Sequence, residues 1–163
     1  MQKWVRNVLI GGAAFVAYRA FKLYEMFNSL NWSFQSLRFT RPILKKLADS
    51  YVLNIGIVIN NPTDTTLYIN KIDGYVEYDG YIIGRYDIGG LKIESGNTNM
   101  KIILDLDPKY VSTILIPDLI SRKAPIFTII VNAKFIFGIG VVEKFQVNVK
   151  DYLPEDITKA IFK

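Results

Sequence analysis

The chain has 163 residues, half of them hydrophobic, a net charge of +5, and neither cysteine nor histidine. That length suits one domain with an appendage. The composition excludes disulfides, thiolate metal sites, cysteine nucleophiles and any triad built on histidine. Residues 1–50 hold eight basic and two acidic side chains, whereas residues 51–163 hold twelve and thirteen. A basic leader on a near-neutral body suits an anionic membrane surface or nucleic acid.

Lys3 and Arg6 precede the uncharged run Asn7 to Tyr18, and Arg19, Lys22 and Glu25 then interrupt a continuing apolar pattern. No proline occurs before Pro42, so one helix from about Gln2 to Phe27 is predicted. Trp4, Val8, Leu9, Ile10, Phe15, Val16 and Phe21 form a candidate membrane or assembly anchor, with Lys3, Arg6, Arg19 and Lys22 as its basic flank. A spanning helix needs ~20 apolar residues. The clean run falls well short of that, and only snorkelling of the flanking cations could stretch it. Four readings compete: a signal peptide, a spanning anchor, an interfacial or partly inserted anchor, and a helix buried in an assembly such as a virion. With the segment present from Met1, the expectation is a retained helix and not a cleaved secreted protein. Gly11-Gly12-Ala13-Ala14 would admit a second helix closely, or merely space the apolar residues.

From about Trp32 the period changes from helical to two. Trp32 to Phe39 makes a weak first strand, and Tyr51, Leu53, Ile55, Ile57 and Ile59 line one face of the next. Leu67 to Tyr78 is strand-like with a phase slip, which places a bulge near Asn70–Lys71. Asp79-Gly80 predicts a tight hairpin turn into a strand over Tyr81 to Ile88. Met100, Ile102, Leu104 and Leu106 alternate with polar or outward residues. Pro108 to Lys123 reads as a helical insert that Pro117 should break into two pieces. Phe127 to Phe137 and Phe145 to Val149 complete a final pair joined by a turn at Gly138–Gly140. The fold class is therefore mainly β. An antiparallel sandwich of about seven strands is the natural way to bury these alternating faces. The expected division is an anchoring helix over 1–30, a sandwich over 31–152 with its insert at 108–123, and a tail over 153–163 that could form a short helix.

The order of features from Tyr51 to Leu106 carries a resemblance. An apolar strand ends in Asn61-Pro62, a second leads to Tyr78-Asp79-Gly80, a short strand contains Gly84, and a turn at Gly96 opens the next. This resembles the type 2 late-embryogenesis-abundant family, also called the water stress and hypersensitive response (WHy) domain. The resemblance extends over roughly residues 32–150. It implies an immunoglobulin-like or fibronectin-like sandwich without catalytic machinery, often preceded by an anchoring or signal segment. The motif residues Asn61, Pro62, Tyr78, Gly80, Gly84 and Gly96 read as fold-making. Asn61 can bond its own backbone, Pro62 stops ladder pairing, and the glycines supply turns.

No constellation for catalysis, cofactor binding or metal binding stands out. Asp105 and Asp107 share strand parity, and Asp64, Asp73, Glu77, Asp79 and Asp87 surround one hairpin, but no ligand spacing recurs. The ten tyrosines fall mostly on strand positions, and the body is slightly acidic, so nucleic acid is an unlikely partner. Arg38, Arg41, Lys45 and Lys46 suit lipid headgroups or a particle's nucleic acid equally. The expectation is a non-enzymatic structural or interaction protein with no cofactor and no small-molecule substrate. Residues 1–28 would hold membrane lipid or partner chains, and the sandwich would meet a protein partner. Such a protein would be membrane-associated or lie within a virion or other large assembly. The alternative is a soluble lipid- or small-ligand-binding sandwich whose helix covers a groove. Removing residues 1–28 is expected to leave a folded β protein in the first case.

Overall fold

The computed structural model describes residues 3–40, 51–121 and 123–153, with side chains from Gly12 onward except at Phe137. The predicted tail helix, Arg41, Lys45 and Lys46 lie outside the described residues. Helix α1 (Lys3–Asn28) leads directly into strand β1 (Asn31–Phe39). The remaining strands are β2 (Tyr51–Asn61), β3 (Leu67–Tyr78), β4 (Tyr81–Ile93), β5 (Gly96–Leu106), β6 (Ile126–Phe135) and β7 (Gly140–Asn148). All pairings are antiparallel, in the order β1-β2-β5-β4-β3-β6-β7.

The β5–β4 link is a single bridge, Gly84 to Leu106. The strands therefore form two sheets, β1-β2-β5 and β4-β3-β6-β7, joined at one corner and facing each other across the core. This is an immunoglobulin/fibronectin-like sandwich, nearly closed into a barrel where Phe34 of β1 meets Phe145 of β7 at 6.3 Å. At the corner a side chain on Gly84 would press against Leu104 and the Asp105 carbonyl, at 2.6 and 3.0 Å. Only glycine lets the two sheets approach there.

Period-two patterning fills the interior. Leu53, Ile55, Ile57 and Ile59 of β2, Ile102 and Leu106 of β5, and Phe127, Ile129 and Val131 of β6 are all buried. The phase slip in β3 is a bulge between Ile69 and Ile72, after which Ile72, Val76 and Tyr78 take over the inner face. Asp79 and Gly80 both have positive φ, 50° and 80°, as a two-residue hairpin turn with right-handed strand twist requires.

Three local readings change. Strand β4 runs on to Ile93, because register shifts near Ile83 and Ile88 carry the pairing past the point where alternation fades. Strand β6 stops at Phe135, and Phe137 lies in a 3-10 turn (Ile136–Gly138). Pro117 does not break the insert. The turn before it widens into a π-helical stretch, Val111–Leu115, in which the Ile116 N–H reaches the Val111 carbonyl. That wider turn accommodates a residue without an N–H, and the helix continues to Ile120.

Candidate functional site

Helix α1 has 26 residues and is about 39 Å long. Its C-terminal turns are fastened to the sandwich. The Phe27 ring stacks on Phe135 with centroids 3.7 Å apart, Leu30 is buried, and Leu23 and Met26 pack alongside. Ser29 closes the helix, its hydroxyl donating to the Met26 carbonyl at 2.7 Å. Deleting residues 1–28 would therefore remove Phe27 from the core, so the truncated sandwich is expected to be less stable than the full chain.

From Gly12 to Arg19 every side chain is exposed. Phe15, Val16 and Phe21 are 60%, 64% and 59% exposed, and Tyr18 and Tyr24 are similarly open. At 100° per residue these five positions are distributed round the whole circumference. Arg19 and Lys22 share one side, and the Arg19 guanidinium lies 5.3 Å from the Phe15 ring centroid. Trp4, Val8, Leu9, Ile10, Lys3 and Arg6 fall on the same helix, with side chains outside the described residues. Among the described residues, no helix is long and apolar enough to cross a membrane.

The opposite end of the sandwich is closed by the insert, through buried Val111, Leu115 and Leu119. Tyr78 donates its hydroxyl to Asp118 at 2.5 Å, and Lys123 pairs with the same carboxylate at 2.9 Å. The Tyr78 hydrogen bond and Lys123 together hold the Asp118 carboxyl below its usual range. Burial, then Asp118, pushes the Tyr78 phenol up.

The other acidic candidates are structural in the same sense. Asp107 caps the insert by accepting from the Lys109 N–H at 2.9 Å, and Asp105 is exposed. Lys71 bridges Asp73 and Asp87 at 3.3 and 2.8 Å, and Lys134 and Asn132 also reach Asp73. Burial pushes the Asp73 carboxyl up, but hydrogen bonds from Lys71, Asn132 and Lys134 outweigh it and hold the group low. Among the described residues, no cluster of acidic side chains could hold a metal ion.

The motif residues take up backbone duties. Asn61 is buried, accepts from the Thr63 N–H at 3.0 Å and hydroxyl at 2.7 Å, and donates to the Thr65 carbonyl at 2.8 Å. Pro62 follows the last paired residue of β2, and Gly96 opens β5 with φ +84°. Sequence reasoning missed the docking role of Phe27 and Leu30. Their only signal is an apolar stripe at positions 20, 23, 27 and 30 that continues to the helix end.

No protein-family model matches the chain, and no curated protein matches it. Solved structures share its fold. One is a protein assigned to the late embryogenesis abundant group, At2g46140.1, with TM-score 0.52 and 14% identity over 90% of this chain and 92% of that one. Another is AT1g01470 from Arabidopsis thaliana, with TM-score 0.53 and 16% identity over 75% of this chain and 85% of that one. The chain has a late-embryogenesis-abundant-like fold. At such identity the likeness concerns architecture, and it agrees with the motif order from Asn61 to Gly96.

Proposed function

We propose that the protein is a non-catalytic interaction module. Helix α1 holds it to a membrane or a larger assembly such as a virion, and the sandwich is presented to a protein partner. One observation carries the reading. The helix is fastened at its base by Phe27 and Leu30, while Phe15, Val16, Tyr18, Phe21 and Tyr24 stand exposed on all sides. Apolar side chains spread this widely are covered best by immersion, with the side that carries Arg19 and Lys22 turned to water or phosphate. Lying flat on a surface would leave half of these side chains in water, so insertion between lipid tails or among other chains suits them better. Arg19 and Lys22 then sit where a cation can reach water or phosphate. The carboxylates best placed for chemistry serve instead as caps and latches, which supports a binding role over a catalytic one. The idea of a helix covering a ligand groove gains nothing, since residues 12–19 cover no part of the body.

Flotation of the full chain with phosphatidylcholine vesicles, alongside light scattering without lipid, tests this. The wild type should float or assemble. A Phe15→Ser/Phe21→Ser variant should do neither while keeping its β-type melt. A wild type that stays monomeric and ignores vesicles would refute the proposal.

A further inference from the structure

A second feature lies away from α1, on the outer face of the β1-β2-β5 sheet. Strand β1 has an irregularity there: Phe34 pairs with Ile57 and Ser36 with Gly56, so Gln35 is an extra residue. Before it Trp32 and Phe34 turn toward the core, and after it Leu37 and Phe39 do. The bulge thus turns both Gln35 and Ser36 outward. Beside them stand Asn54 and Gly56 of β2, then Asn99 and Lys101 of β5, with Ser36, Gly56 and Lys101 in one row. Arg38 stands in the adjoining row, opposite Asn54.

These residues line a depression of about 550 Å³. Gly56 lets the Ser36 and Gln35 side chains lie over the floor: a Cβ there would sit 2.5 Å from the Ser36 hydroxyl and 3.6 Å from the Gln35 side-chain amide oxygen. The Asn54 amide donates to the Thr40 hydroxyl, which steadies the rim. The polar lining is made of a guanidinium, an ammonium, hydroxyls and carboxamides, with no carboxylate among the described residues that form it. Lys71, Lys92, Lys123 and Lys134 each pair with an acid. Neither Arg38 nor Lys101 has an acidic partner among the described residues.

We propose that this depression binds a phosphomonoester group, with Arg38 and Lys101 as its cationic ligands and Gln35, Ser36 and Asn99 as neutral donors. The two cations start about 12 Å apart on the sheet, a gap that two long side chains close onto one tetrahedral anion. The guanidinium offers a planar fork to two phosphate oxygens, and the ammonium neutralises a third. The volume exceeds that of a bare phosphate, so the esterified group also fits. A soluble phosphomonoester and a phosphatidic-acid-type headgroup share this chemistry.

The test uses the full chain. Titration with glycerol 3-phosphate should saturate, and Arg38→Gln or Lys101→Gln should each weaken it about tenfold or more. Gly56→Ala should weaken it with both charges intact. Lys144→Gln, an exposed cation on β7, should leave it unchanged, and all four variants should keep the wild-type melt. Flotation with phosphatidylcholine vesicles, with and without phosphatidic acid, separates the sources. A gain from phosphatidic acid that Arg38→Gln abolishes marks a headgroup. Titration without such a gain marks a soluble ligand. Absence of both signals, or equal losses in Arg38→Gln and Lys144→Gln, would overturn the proposal. Phe15→Ser/Phe21→Ser should keep glycerol 3-phosphate binding, so this site and the helix's attachment fail separately.

Discussion

The two ends of the sandwich are both closed by helix, yet they treat apolar side chains in opposite ways. The insert buries Val111, Leu115 and Leu119 and is latched by the Tyr78–Asp118–Lys123 group. Among its described side chains, helix α1 buries those of its last turns and leaves Phe15, Val16 and Phe21 in the open. Helical apolarity therefore serves stability at one end and is left available for attachment at the other. The boundary between the two uses lies inside α1 itself, near Leu23.

Substitutions on either side of that boundary should separate the two uses. Phe27→Ala should cost about 3–5 kcal/mol in urea unfolding, since it empties a stacked site in the core. Leu115→Ala, in the latched insert, should cost about 3 kcal/mol by the same measurement. A loss near zero at either position would show that the end in question is not part of the cooperative unit. Asp118→Asn should cost about 1–2 kcal/mol near neutral pH through its hydrogen bonds to Tyr78 and Lys123. Because folding lowers the Asp118 pKa, that stabilisation is present above the unfolded value of about 3.9 and fades as pH falls through the folded one. Unfolding curves of wild type and variant should therefore converge in acid; a constant offset would assign the effect to packing. Phe21→Ser, on the open part of α1, should change stability by no more than about 0.5 kcal/mol. It should nonetheless weaken attachment to vesicles or partner chains, measured by flotation or light scattering.

Much of this architecture was legible in the residues because a half-buried strand writes its burial directly as alternation. Strands β2, β5 and β6 read that way, and the slip between Ile69 and Ile72 marked its own bulge. What escaped did so for physical reasons. The register shifts near Ile83 and Ile88 scramble the period of β4, so the strand is legible only as far as Ile88. Pro117 carries the usual mark of a helix break, and nothing local announces that Val111–Leu115 will widen to receive it. The apolar pattern of α1 is continuous, so it does not say which turn touches the body and which stands free. The Arg38–Gly56–Lys101 depression depends on strand pairing that brings together residues as far as 66 positions apart in sequence. Arg38 could be noted as basic, but its neighbours could not be named.

The short link from α1 to β1 has a mechanical consequence. Any tug between the sandwich and whatever grips the front of the helix must pass through Phe27 and Leu30 before it loads the first rung of the ladder, Asn31 to Asn60. Those two side chains act as a strain relief, the knot inside the wall that keeps a pulled cord from tearing out its terminal.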